Sequence, residues 1–180
     1  MAAKLSSRPQ IVALQPNCLA DIWDDIRRVA VSLGMPERGK ELVSELQRRM
    51  QPITQKRRPT VACIEWLNPL MAAGNWMPEL VELAGGINLF GEVGRHSPWL
   101  QWEQVREADP DFLIAMPCGF DLEKTRQEMH WLEELPGYRA LRAVQSGCVV
   151  PVDGNAYFNR PGPRLADSFD QLVAIIQSFG

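Results

Sequence analysis

The residues with the most chemistry to offer lie in one stretch, Asp153-Gly-Asn-Ala-Tyr-Phe-Asn-Arg-Pro-Gly-Pro-Arg164. It combines ring faces (Tyr157, Phe158) and a cation (Arg160) with a glycine-, asparagine- and proline-rich loop. Such a mixture suits the holding of a ligand without covalent chemistry. A second loop, Asn68-Pro-Leu-Met-Ala-Ala-Gly-Asn-Trp76, follows an earlier apolar run and offers Met71, Asn75 and Trp76. Two such loops on one sheet edge imply one pocket; the plainer alternative is that Tyr157 and Phe158 plug the base of the last helix. Covalent chemistry has less to draw on. Cys118 follows an apolar strand and precedes a helix, where backbone N–H groups favour a thiolate, yet neither His96 nor His130 is placed to act as its base. The acids Glu65 and Glu82 are the other enzymatic option, and there is neither a phosphate-cradling glycine loop nor a metal-ligand cluster beside them.

These loops need elements to carry them. Cys148-Val-Val-Pro-Val152 feeds the Asp153–Arg164 loop, and an amphipathic helix from Leu165 to Phe179 follows it. Upstream, Val61–Trp66 and Phe112–Met116 read as strands. Between and around them lie helices at Pro78–Ala84, opened by proline and stopped by Gly85-Gly86, and at Trp102–Glu107, Leu122–Leu135 and Tyr138–Val144. Alternation of this kind predicts βαβ units and a small parallel sheet with helices on both sides, an α/β fold. Before residue 59 the pattern differs. Gln10–Leu14 reads as a short strand, Asn17 as the cap of a helix over Leu19–Leu33, and Pro36 as the start of a long helix to about Ile53. The charged stretch Gln55-Lys-Arg-Arg-Pro59 is the one plausible internal boundary.

Composition narrows the function classes. With 180 residues, 46% of them hydrophobic, the chain can bury a proper core as about one domain. A formal net charge of -3 offers no basic face for nucleic acid, and Arg48-Arg49 and Lys56-Arg57-Arg58 read as solvated charges. No run approaches a membrane span, and Met1–Pro9 lacks the apolar core of a secretory signal, so the sequence as written is expected to stay in the cytoplasm. The cysteines, Cys18, Cys63, Cys118 and Cys148, are too scattered for a zinc site or a disulfide framework and read as reduced thiols.

Four ordered motifs together carry a resemblance: Trp76–Phe90, Ser97-Pro-Trp-Leu-Gln-Trp-Glu-Gln-Val105, Asp109–Ile114 and the Asp153–Arg164 loop. They resemble the C-terminal lobe of the cobalamin-binding branch of the class III substrate-binding proteins of ABC importers, a superfamily that includes the iron-siderophore binders. The resemblance implies a three-layer α/β/α lobe with a small parallel sheet, preceded by a long connecting helix, with the family's N-terminal lobe missing. It divides the chain into a remnant strand and tail (1–17), the connecting helix and its neighbour (18–58) and the substrate-binding lobe (59–180). It also implies a non-catalytic role with no cofactor, a corrinoid or other metal chelate as ligand, and an ABC permease or the missing lobe as partner. Family members are usually periplasmic or in the cell envelope.

Residue by residue, the resemblance makes Trp99 the tryptophan that lies against the corrin ring. Met71 stands where the vitamin B12 binder presents a phenylalanine, and Arg160 where an arginine meets the ligand's amide edge. Asn75, Trp76, Tyr157 and Phe158 complete the expected contacts. The family's ligand-contacting aspartate is replaced by Ala156, with Asn155 beside it as a substitute acceptor. Glu103 matches the surface glutamate that docks the lobe onto the permease; without the resemblance it is an ordinary first-turn glutamate favoured by the helix dipole. A competing reading is a protein-interaction module that uses Trp99, Tyr157 and Phe158 as an exposed aromatic patch.

Overall fold

The computed structural model describes residues 10–178. Its centre is β1 (Thr60–Leu67), an apolar eight-residue strand flanked on both sides. On one side it pairs in parallel with β4 (Phe112–Ala115), which pairs in parallel with β5 (Val149–Pro151). On the other side two short strands share its length. β3 (Ile87–Leu89) runs parallel to the first half, and β2 (Leu70–Ala72) returns antiparallel along the second half through a turn at Asn68-Pro69. All three predicted strands after residue 59 are present. β2 and β3 were not expected, because three-residue strands leave too short an alternation to register as a period.

Near-continuous burial of β1 and β4 follows from helices on both faces. One core takes Val61, Cys63, Phe112 and Ile114 from the sheet and packs them against α1 (Leu19–Ser32), α2 (Pro36–Arg49), α3 (Met77–Leu83) and α8 (Leu165–Gln177). The other takes Ala62, Ile64, Leu113 and Ala115. Against these lie α4 (Trp102–Ala108), α6 (His130–Glu133), a 3-10 turn at Tyr138–Ala140 and α7 (Arg142–Gln145), while α5 (Leu122–Glu128) is fastened by the Thr125 hydroxyl donating to Val152 O at 3.0 Å. The result is the expected three-layer α/β/α lobe. At the amino end of the sheet the buried Asp111 is satisfied by Thr60 (N–H at 2.9 Å) and Arg142 (Nη1 at 3.0 Å), as a carboxylate at 7% exposure requires.

The helical region expected at 18–58 is a pair of 14-residue helices, packed so closely that a Cβ on Gly39 would run into Ala30. Several boundaries differ from expectation. Asn17 does not cap α1: its side-chain amide bonds Gln15 O, and the carboxylate of Asp21 accepts from the N–H groups of Asn17 (2.8 Å) and Cys18 (3.2 Å) instead. Glu79 of α3 accepts from Leu19 N–H at 2.8 Å and ties the helix end to the core. α2 stops at Arg49, short of Ile53, because Pro52 has no N–H to continue the ladder. The predicted Leu122–Leu135 helix divides at Met129, whose N–H reaches back three residues to Arg126 O rather than four. The last helix ends at Gln177, and Phe179 lies outside the described residues.

The strand expected at Gln10–Leu14 does not form. Residues 11–17 are neither helix nor strand; they lie beside α1, where Arg28 Nη2 donates to Ala13 O at 2.9 Å, and they pair with no strand among the described residues. Residues 1–9 of the expected tail lie outside the described residues.

Leu80 is fully buried on α3 between the sheet and α8. Leu80→Ala should lower the free energy of urea unfolding by about 2 to 5 kcal/mol with an unchanged m-value. A loss below about 0.5 kcal/mol, the scale of a surface change, would contradict this placement.

Candidate functional site

The carboxyl edge of the sheet is shaped by one extra residue in β1. Ile64 faces Ala72 while Trp66 faces Met71, so the register slips by one between them and Glu65 is the residue left over, a β-bulge. Ala62 and Ile64 point into the second core, and so does Leu67, whereas strict alternation would have sent Trp66 there. Leu67, its partner Leu70 and the neighbouring Leu100 all enter that core, which leaves Trp66 and Met71 on the opposite face. The segment 98–100 continues the ribbon: Ala72 N–H bonds Pro98 O and Leu100 N–H bonds Leu70 O, both at 2.9 Å, and Trp99 pairs with Met71. Three ring or thioether side chains therefore stand on one side of this ribbon. Trp99 is 64% exposed, Met71 and Trp66 are half-buried, and the Trp66 ring meets Phe120 at 5.5 Å between centroids.

The loops after β4 and β5 close the other side. Cys118 N–H bonds Glu65 O at 3.1 Å, and Asn155 N–H bonds Phe120 O at 3.0 Å. The β5 loop makes a single π-helical turn, Gly154–Phe158, capped by Asp153, whose carboxylate accepts from Ala156 N–H at 2.7 Å. Gly154 is required there, since a Cβ would collide with the carbonyl oxygens of Met116 and Pro117. Arg160 folds over the turn and donates from Nη2 to Asn155 Oδ1 at 2.7 Å. Between ledge and turn sit Glu65 and Cys118. The buried Ser97 hydroxyl donates to the Glu65 carboxylate and accepts from Gly74 N–H at 3.1 Å, which fastens the Trp99 segment to β1. Burial chiefly, and the Glu65 charge in addition, push the Cys118 thiol up from its ordinary pKa, while Arg160 acts in the opposite sense. A raised thiol is a poor nucleophile. Neither histidine serves it: His96 Nδ1 lies against Ser97 O and His130 Nδ1 against Gln127 O. Glu65 and Glu82 do not meet, because Glu82 binds Arg58 and Asn88 N–H near the start of β1. Among the described residues no group of three or more His, Cys, Asp or Glu side chains could hold a metal. What the edge offers is a flat apolar ledge with an anion and a cation beside it, an arrangement for stacking and hydrogen bonding.

The family model described as periplasmic binding protein matches residues 2–156. The chain belongs to that family. Among curated relatives, the vitamin B12-binding protein of Vibrio cholerae is 25% identical over 169 residues, which cover 91% of this chain and 58% of that protein. Among solved structures, the periplasmic vitamin B12-binding protein BtuF of V. cholerae superposes with a TM-score of 0.66 at 20% identity, covering 93% of this chain and 65% of its own. IsdE from S. aureus, complexed with heme, gives a TM-score of 0.75 at 17% identity, with 89% and 65% covered. The chain thus spans about three-fifths of the length of the relatives it matches, and its fold is that of one lobe of such a binding protein.

For this binding-protein lobe the expected contacts divide into two groups. Met71 and Trp99 stand together on the ledge, and Asn155 and Arg160 are bonded to each other on the β5 turn. Tyr157 is half-buried against the first core, with its carbonyl accepting from Ser168 Oγ of α8. Asn75 is half-buried with a left-handed backbone (φ 52°) and donates its N–H to Arg95 O at 2.6 Å. Two expectations need correction. Phe158 has no exposure and Trp76 only 7%, so both belong to the core beneath the edge and neither presents a ring to a ligand. The single π-helical turn is the cause at Phe158, since it winds that side chain back under α8. Glu103 lies exposed on the first turn of α4, at a shallow groove of about 350 Å³ that also involves Arg106, Glu107 and Gly137. Sequence reasoning missed Trp66, Phe120 and Ser97. Trp66 reads from the sequence as the end of a regular strand, and no residue type there marks the bulge.

The thiols give a direct check on this geometry. Cys63, fully buried with its pKa pushed up to about 12, should be alkylated by iodoacetamide only on unfolding. Cys118 should react in the folded chain, with a rate that rises at higher pH than for free cysteine. Glu65→Gln removes a raising charge and should move that profile down; Arg160→Ala removes a lowering one and should move it up. A Cys118 that alkylates at lower pH than free cysteine would refute the arrangement.

Proposed function

We propose that the chain is a non-catalytic solute-binding lobe of an ABC-type importer, and that it takes a corrinoid or another planar metal chelate on the Trp99 ledge. The observation that carries the reading is the bulge-made shelf on which an exposed indole stands beside Met71 and Trp66. A large ring gains from such a face through its π surface and the polarizable sulfur. Its amide periphery would meet Arg160 and Glu65. Asn155 is a weaker candidate acceptor than its position promised, since its Oδ1 is already taken by Arg160. Support comes also from the relatives whose names record vitamin B12 or heme. In this reading Glu103 docks the lobe on a permease. Members of the family are periplasmic, so the reading carries the chain to that compartment and away from the cytoplasm expected from its first residues. Among the described residues no helix is long and apolar enough to cross a membrane.

A second reading rests on the exposure of Trp99 at 64%, which equally suits the anchor of a protein-interaction surface. Visible-light titration and calorimetry with hydroxo- or cyanocobalamin separate the two. The ligand reading expects weak binding, because a single lobe buries one side of the ring. Trp99→Ala should weaken it by about 1 to 3 kcal/mol, while Glu103→Ala leaves the affinity unchanged. No spectral change and no heat, both for the isolated chain and for the chain joined to a matching second lobe, would sink the ligand reading and leave the interaction surface as the better one.

A further inference from the structure

The ledge carries one group that stacking does not need. Glu65, the residue left without a β2 partner, is half-buried beside Trp66. A buried hydroxyl holds its carboxylate in place: Ser97 Oγ, in a residue at 5% exposure, donates to Oε2 and is itself fixed by Gly74 N–H at 3.1 Å. A glutamine carbonyl would accept from Ser97 equally well, so the fastening does not account for the charge. The other oxygen, Oε1, has no hydrogen-bond partner among the described residues, and no lysine, arginine or histidine there pairs with the group. The cation of the site is committed elsewhere. Arg160 is exposed, where solvent and salt screen it, and it donates from Nε to Asn155 O and Oδ1, both at 3.1 Å, and from Nη2 to the same Oδ1. Of the two charges that act on the Cys118 thiol besides its burial, Glu65 outweighs Arg160.

We infer that Glu65 selects ligands by the charge of their edge: the ledge takes planar chelates rimmed by neutral amides and rejects those rimmed by carboxylates. This selection rests on the ledge reading above and narrows it. A carboxamide N–H donates to Oε1 in a charge-assisted hydrogen bond, whereas a carboxylate in the same place meets a like charge and has no proton to give. Stacking on Trp99 and Met71 is common to both kinds of ring, so the edge is what separates them.

Two measurements test the selection. Dicyanocobinamide and dicyanocobyrinic acid share one corrin ring and differ at its rim, amides in the first and free carboxylates in the second. In equilibrium dialysis at low salt the full chain should bind the amide form more tightly by about tenfold, the scale of a partly screened charge pair. Glu65→Gln, which keeps the acceptor for Ser97, should bring the two within about twofold, mainly by improving the acid, while Trp99→Ala weakens both alike. Iodoacetamide and iodoacetate make the same comparison without a corrinoid. Each alkylates a thiolate with loss of iodide, and the ratio of their rates at one pH cancels the thiolate fraction. At Cys118, followed on its own peptide by mass spectrometry, the amide reagent should be favoured by about fivefold beyond its preference on free cysteine, and Glu65→Gln should erase that surplus. Equal binding of the two corrinoids, tighter binding of the acid, or a preference that survives Glu65→Gln overturns the selection and leaves the ledge reading standing. An ordinary reagent ratio at Cys118 overturns the selection on its own. Failure of both corrinoids to bind removes the ledge reading, and the selection falls with it.

Discussion

The extra residue at Glu65 is the constraint on which the carboxyl edge depends. Upstream of it β1 is an ordinary buried strand, with its odd positions in one core and its even positions in the other. One unpaired residue reverses the parity, so Leu67 finishes the second core and Trp66 is released to the face that Met71 and Trp99 share. The same residue that shifts the register then fastens the result. Its carboxylate accepts from Ser97, its carbonyl accepts from Cys118 N–H, and the strand's two neighbouring loops are thereby tied to one point.

Exposure at the ledge rests on burial beneath it. Trp76 and Phe158 are core residues, and Gly154 lets the β5 turn sit directly on the backbone of the β4 loop. A stacking surface gains affinity when its parts are held in place before the ligand arrives, because less side-chain and loop freedom is lost on binding. The Ser97–Glu65 and Arg160–Asn155 contacts serve that end, while the ion pair of Arg49 with Asp167 and Asp170 on the far side is half-exposed and adds little beyond orientation.

Much of this was legible in the sequence. The alternation of Val61–Trp66, Phe112–Met116 and Cys148–Val152 with amphipathic segments gave the layers and the sheet, because residues buried on both faces leave long apolar runs. The candidate site was half legible. Arg160 was legible from its loop, and Trp99, Met71 and Asn155 came through the family resemblance, but nothing in the residue types of Tyr157-Phe158 tells which ring a π-helical turn will bury. Trp66 was hidden for a different reason: a bulge is a property of two strands together, and β2 is too short to be seen. Gln10–Leu14 failed as a strand because β-pairing needs a partner edge, and the apolar content of one segment cannot supply it.

A ledge made by a bulge is encoded by chain length as much as by residue identity. One residue added to β2 between Met71 and Ala72 would give Glu65 a partner, restore strict alternation, turn Trp66 towards the second core and carry Leu67 out in its place. Point substitutions at Met71 or Trp99 adjust such a surface gradually. A single-codon insertion in β2 reverses the facing of Trp66 and Leu67 at once, so such a shelf can be lost or gained in one genetic step.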